Sequence, residues 1–204
     1  MTVDAGSLAM PRRVARAPRE VVPTVSNARI AMLVVIGAEW MLFAGLIGMF
    51  LVFRLSRPWP PPDLPRLPLA LTTINTVILL ASVLPMTRAL RAVRRDDQPV
   101  LVRNVAVTAL LGVVFLAIQG AEWVRLVRHG LTPGSSMYGA TFYVLIGCHG
   151  AHVLAAVTWL AVTALLAARG RFVSTRHAPL EMCAIYWYFV CALWAILFPL
   201  VYLA

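Results

Sequence analysis

An all-α polytopic membrane bundle of five transmembrane helices is the fold class this sequence predicts, and three observations predict it. Of the 204 residues, 61% are hydrophobic and only 13% are charged, against roughly 45–50% apolar residues in a soluble domain. Five stretches reach the about 20 mostly apolar residues that a spanning helix needs. The 18 basic residues, every one an arginine, gather mainly on one side of those stretches. The composition excludes an ordinary soluble enzyme and excludes intrinsic disorder, because so much apolar side chain must be hidden from water.

The spans are expected over 30–53, 69–87, 104–124, 139–167 and 182–203. The first follows an Arg-rich segment. The second follows a proline loop, Pro58-Trp59-Pro60-Pro61-Pro62 with Pro65 and Pro68, and the third follows the polar turn Arg94-Arg95-Asp96-Asp97-Gln98-Pro99; both compositions punctuate structure. The fourth and fifth are separated by a segment carrying Arg169, Arg171 and Arg176. Backbone groups in lipid must be satisfied within their own segment, so continuous apolar runs of this length are helices and not the short alternating strands of a barrel. Residues 30–203 therefore form one membrane domain. Residues 1–29 form an Arg-rich cytoplasmic segment, which lacks the apolar h-region of a cleavable secretory signal.

With the N-terminus inside, thirteen arginines fall on inner segments and five (Arg54, Arg57, Arg66, Arg125 and Arg128) on outer ones. The positive-inside rule thus predicts N-in, C-out. The formal charge of +10 reads as an orientation signal and not as a nucleic-acid footprint. Cys148, Cys183 and Cys191 all lie in spans and imply packing, with no disulfide framework.

Ionisable groups inside a span mark function by default, since leaving them in lipid is costly. Glu39 falls near the middle of the first span and Asn75 lies within the second; Glu122 sits near the outer end of the third. His149 and His152 of the fourth are three residues apart, on one helix flank, and are expected to aim into the same space. Four readings compete for these residues. Glu122, His149 and His152 make a metal set; haem ligation would need histidines on facing helices, and His129 and His177 lie in loops. Proton conduction or solute transport would use Glu39 as relay. Polar contacts between helices, or with lipid head groups and a partner subunit, would hold the bundle together. Small residues in the first span (Gly37, Ala38, Ala44, Gly45, Gly48) and the fourth (Gly147, Gly150, Ala151, Ala155, Ala156) fit close helix packing. Trp59, Trp123, Tyr138 and Tyr202, near span ends, fit an interfacial belt, whereas Trp187, Tyr188 and Trp194 face another helix from within the last span. No phosphate loop, nucleophile elbow, zinc-protease motif or Cys-x-x-Cys is present.

Five segments in order, from Ile30 to Leu203, resemble subunit III of haem-copper terminal oxidases in its short five-helix bacterial form. They are Gly37-Ala38-Glu39-Trp40; Trp59-Pro60-Pro61-Pro62 leading to Leu71-Thr72-Thr73-Ile74-Asn75-Thr76; Gly112 and Phe115 with Gln119 and Glu122-Trp123; Gly147-Cys148-His149-Gly150-Ala151-His152-Val153; and Tyr186-Trp187-Tyr188-Phe189-Val190-Cys191-Ala192-Leu193-Trp194. The last departs from the family's usual Tyr-Trp-His-Phe-Val-Asp, with Tyr188 and Cys191 where His and Asp are common. The resemblance implies a non-redox accessory subunit whose helices form two bundles around a V-shaped, lipid-filled cleft, in a bacterial inner membrane. It implies that haem and copper reside in partner subunits, with none in this chain; that the partners are oxidase subunits I and II, phospholipids and a larger respiratory assembly; and that it supports proton uptake and stability in turnover. An accessory protein of a nitric oxide reductase is the alternative. By the same resemblance Glu39 takes the place of the family's membrane carboxylate, and Asn75, Glu122, His149, His152 and Trp187 make lipid-binding or helix–helix polar contacts.

Overall fold

A computed structural model describes residues 27–56 and 69–203; the N-terminal segment before Asn27 and the Trp59 proline loop lie outside the described residues. Among the described residues, five segments are long and apolar enough to cross a membrane, Asn27–Ser56, Leu69–Arg94, Gln98–Arg128, Met137–Ala168 and Ala178–Leu203. They comprise helices α1 (Asn27–Ser56), α2 (Leu69–Ala81), α3 (Val83–Arg94), α4 (Gln98–Arg128), α5 (Met137–Ala168) and α6 (Ala178–Phe198), with a π-helical turn over Pro199–Leu203. Among the described residues there is no strand beyond an isolated bridge between Val173 and Arg176.

Each segment runs a few residues past its expected edge. Apolarity stops where lipid stops, whereas backbone hydrogen bonding continues through polar turns such as Arg88–Arg94 until a stop signal intervenes. Those signals are local. Asp97 caps α4 by accepting from Val100 N at 3.2 Å, and Ser136 caps α5 by accepting from Gly139 N at 3.1 Å. Gly130 (φ 90°) and Gly170 (φ 66°) end α4 and α5 in the left-handed region. Leu131 N reaches back to Leu126 O and Arg171 N to Leu166 O, which satisfies the last carbonyls.

The second span is two helices in sequence, not the single one expected. Pro85 has no N–H for the carbonyl four residues back, and the helix breaks at Ser82. The last span changes to π geometry at Pro199.

α6 is the hub. Of its most apolar stretch 61% is buried, against 11% for α1. α1 touches α5 and α6, α5 touches α4, α4 touches α2 and α3, and both of those return to α6. The described spans therefore form a single arc around α6, not the two bundles expected around a V-shaped cleft.

The glycines divide the same way. A Cβ at Gly37, Gly45 or Gly48 would meet nothing within 4 Å, so the small face of α1 makes no close helix contact among the described residues, contrary to expectation. Gly147 and Gly150 do serve packing, with the Trp123 ring within 3.8 Å and 3.2 Å of a built Cβ. Gly112 is tighter than either, since a Cβ there would lie 2.6 Å from Val157 Cγ2 and 2.8 Å from Trp187 Cη2. Gly112→Ala gains up to about 1 kcal/mol of helix propensity but forces an overpacking strain of about 1–3 kcal/mol. A net lowering of the detergent-solubilised protein's thermal midpoint is expected; an unchanged or raised midpoint would show that α5 and α6 yield freely there.

Candidate functional site

At the end of the bundle where α1 begins, Glu181 accepts from Arg29 at 3.1 Å and Arg94 at 3.3 Å, with His177 Nε2 also at 3.3 Å. One carboxylate thus gathers the ends of three spans. Asp96 (φ 53°) accepts from Ser174 N at 2.7 Å, tying the α3–α4 turn to the α5–α6 loop. Hydrogen bonds from Ser174 hold the Asp96 carboxyl below its ordinary value. At the opposite end Arg54 donates to Leu200 O at 2.6 Å, within the π-helical turn.

Midway along α1, Glu39 Oε2 lies 2.8 Å from His152 Nε2 of α5. His152 Nδ1 lies 2.7 Å from the Cys148 carbonyl oxygen four residues back. A carbonyl only accepts, so Nδ1 carries a proton and Nε2 faces the carboxyl. Glu39 and His152 therefore hold one proton between them, as imidazolium and carboxylate or as imidazole and carboxylic acid. Both arrangements are neutral overall, which suits an apolar surround where an unpaired charge is costly. The side chains are 24% and 16% exposed, at the seam between α1 and α5.

His149 does not join them. Residues three apart on a helix differ by about 60° in direction, and here the two imidazoles share only an edge-on contact with Phe43, at 5.1 Å for His152 and 6.5 Å for His149, and make different polar and stacking contacts. The His149 ring stacks on Trp194 of α6 at 4.9 Å and 23°, with Phe43 and Phe115 each edge-on at 6.5 Å. It is buried, and neither ring nitrogen has a hydrogen-bond partner among the described residues. Glu122 belongs to a third set. It accepts from Thr72 of α2 at 2.9 Å and from Gln119 at 3.3 Å, and Gln119 Nε2 also approaches Tyr202 Oη at 3.4 Å. Glu122, His149 and His152 are thus not brought together, and no group of three such ligands among the described residues is placed to hold a metal ion. Asn75 of α2 donates to Phe115 O of α4 at 3.1 Å.

The sequence reading missed a ladder between the second and last spans. Thr76, Ser82 and Thr87 each donate a hydroxyl proton to a carbonyl of their own segment, at Thr72, Leu79 and Val83. Their oxygens are left to accept from α6: Trp194 Nε1 at 2.9 Å, Trp187 Nε1 at 3.0 Å and Tyr188 Oη at 3.0 Å respectively. The signal was in the sequence, because three hydroxyl residues on one apolar span need partners in lipid. Tyr138 and Tyr202 are buried in the core and do not form the interfacial belt expected of them.

A family model described as cytochrome c oxidase subunit III matches residues 20–204. The chain belongs to the cytochrome c oxidase subunit III family. Cytochrome c oxidase subunit 3 of Synechocystis sp. is 37% identical over 169 residues, covering 81% of this chain and 71% of that protein. The subunits 3 of Cyprinus carpio (32% over 187 residues, 88% and 70%) and Sus scrofa (33% over 181 residues, 85% and 68%) are similar over nearly the same length. With five apolar spans among its described residues, this subunit III chain is a multi-pass membrane protein. Its departure from the usual His and Asp is absorbed locally: Tyr188 takes a rung of the ladder, and Cys191 Sγ lies 3.8 Å from Leu79 O beside the α2–α3 break.

Proposed function

We propose that this chain is the accessory, non-redox subunit III of a bacterial respiratory haem-copper oxidase. It packs beside the catalytic subunits I and II, which carry the haem and copper, and binds phospholipid at its lipid-facing seams. The end bearing Arg29 lies on the cytoplasmic side, in keeping with the arginine excess there. The observation that carries a role beyond scaffolding is the Glu39–His152 pair. It is a single-proton store midway along a lipid-facing span, able to exchange with a neighbour while remaining neutral in its resting form, and it supports proton uptake during turnover.

The first test is what accompanies the chain. Gentle solubilisation through a tag on this chain is expected to bring a haem protein, seen by visible absorption; a preparation without haem overturns the assignment. The second is Glu39→Gln, which keeps a hydrogen bond to His152 but removes the exchangeable proton. The complex is expected at wild-type yield, with an initial oxygen-consumption rate within about twofold and a markedly shorter active lifetime in sustained turnover. An unchanged lifetime removes the proton role, and loss of the complex makes the pair an assembly element.

A further inference from the structure

We infer that the α4–α5 seam, at the end bearing Arg29, binds the head group of phosphatidylethanolamine. The inference rests on the lipid-binding reading above and supplies its ligand and residues. A cavity of about 450 Å³ opens where α4 begins and α5 ends, with Gln98, Val102 and Arg103 on one wall and Ala167, Ala168 and Gly170 on the other. Arg103 makes no ion pair among the described residues and offers a guanidinium fork to a phosphate. Gln98 is oriented by donating its Nε2 to Phe172 O, which leaves its Oε1 buried and without a partner among the described residues. That oxygen calls for a donor.

The cavity is therefore two-signed. The N-terminal turn of α4 and Arg103 favour a phosphate, while the negative C-terminal end of the α5 dipole and the unpartnered Gln98 Oε1 favour a cation that can donate. An ethanolamine head group supplies both, because its ammonium is positive and carries N–H donors for Gln98 Oε1. A choline group has the charge but no N–H, and a glycerol group has donors but no positive charge. By helical spacing from Val102 and Ala168 the same seam continues past Ala109, Val113, Ala161 and Leu165, partly or well exposed apolar residues against which acyl chains can lie.

The test uses the whole complex, purified through this chain and equilibrated with vesicles of equal parts phosphatidylethanolamine, phosphatidylcholine and phosphatidylglycerol. Retained lipid is counted by native mass spectrometry. Wild type is expected to retain phosphatidylethanolamine about tenfold over phosphatidylcholine, a difference of about 1.4 kcal/mol. Arg103→Gln removes the phosphate's partner and Ala168→Leu fills the cavity without changing charge; each is expected to erase that preference, while Arg91→Gln on α3 keeps it. Equal retention of ethanolamine and choline lipids, equal or greater retention of phosphatidylglycerol, or an Arg103→Gln variant that binds as wild type overturns the assignment, yet leaves lipid binding itself standing. A complex that retains no phospholipid at all overturns both.

Discussion

Trp187→Ala is expected to loosen the second span from the last and to leave little chain in the solubilised complex. The indole is fully buried in α6, and a truncation of that size leaves a cavity costing about 3–5 kcal/mol. Its Nε1 also donates to Ser82 Oγ at 3.0 Å, at the point where α2 breaks into α3. The far edge of the ring fills the space that Gly112 leaves on α4, so one side chain ties three spans. Trp187→Phe keeps most of the bulk and forfeits the hydrogen bond, an expected loss nearer 0.5–1.5 kcal/mol. Because Phe also retreats from Gly112, Gly112→Ala is expected to cost less in the Phe background than in wild type, a coupling that neighbours show and distant sites do not. Thermal midpoints of the four proteins check this, and strictly additive effects would sink the account of Gly112 and Trp187 as one packed contact.

The spans and the family were legible because both are written locally: about 20 apolar residues announce a crossing, and motifs such as Gly147-Cys148-His149-Gly150-Ala151-His152 carry their own spacing. What was not legible is which face of each helix meets protein. In water a buried face is the apolar one, but a lipid-facing side chain is as apolar as a core one, so the stripe that orients a soluble helix is missing. The Gly37, Gly45 and Gly48 face read as a contact surface for that reason, and the structure leaves it open. The pairing of Glu39 with His152, across 113 residues, was hidden likewise, since nothing local tells an imidazole aimed at α1 from one aimed at α6. The break at Ser82 was available from Pro85, whose missing N–H is a covalent fact. Hydropathy overrode it, because Pro in an apolar run does not lower the run's average enough to divide it.

Glu39→Leu and His152→Leu are each expected to weaken the docking of α1, and the double substitution to weaken it less than their sum. α1 is the least buried span, and polar links hold it at three depths: Arg29 with Glu181, Glu39 with His152, and Arg54 with Leu200 O. Removing one member of the central link leaves its partner in an apolar seam with a hydrogen-bonding group unmet. Full burial would make that a loss of about 3–5 kcal/mol, and the partial exposure of both side chains reduces the expectation to about 2 kcal/mol. In the double variant neither polar group remains, and two leucines pack where the pair stood; the coupling recovered in the cycle is expected at about 1–2 kcal/mol. Protease susceptibility at the α1 boundaries and thermal midpoints of the purified complex measure it. Glu39→Gln separates the pair's two roles, because an amide still donates to His152 Nε2 and preserves docking while no proton remains to be exchanged. If the Leu and Gln variants fail alike in stability, the pair's contribution is electrostatic in its ground state. If Gln docks as wild type yet tires in turnover, the shared proton itself is what the oxidase uses, and the anchor of α1 is the geometry that keeps it in place.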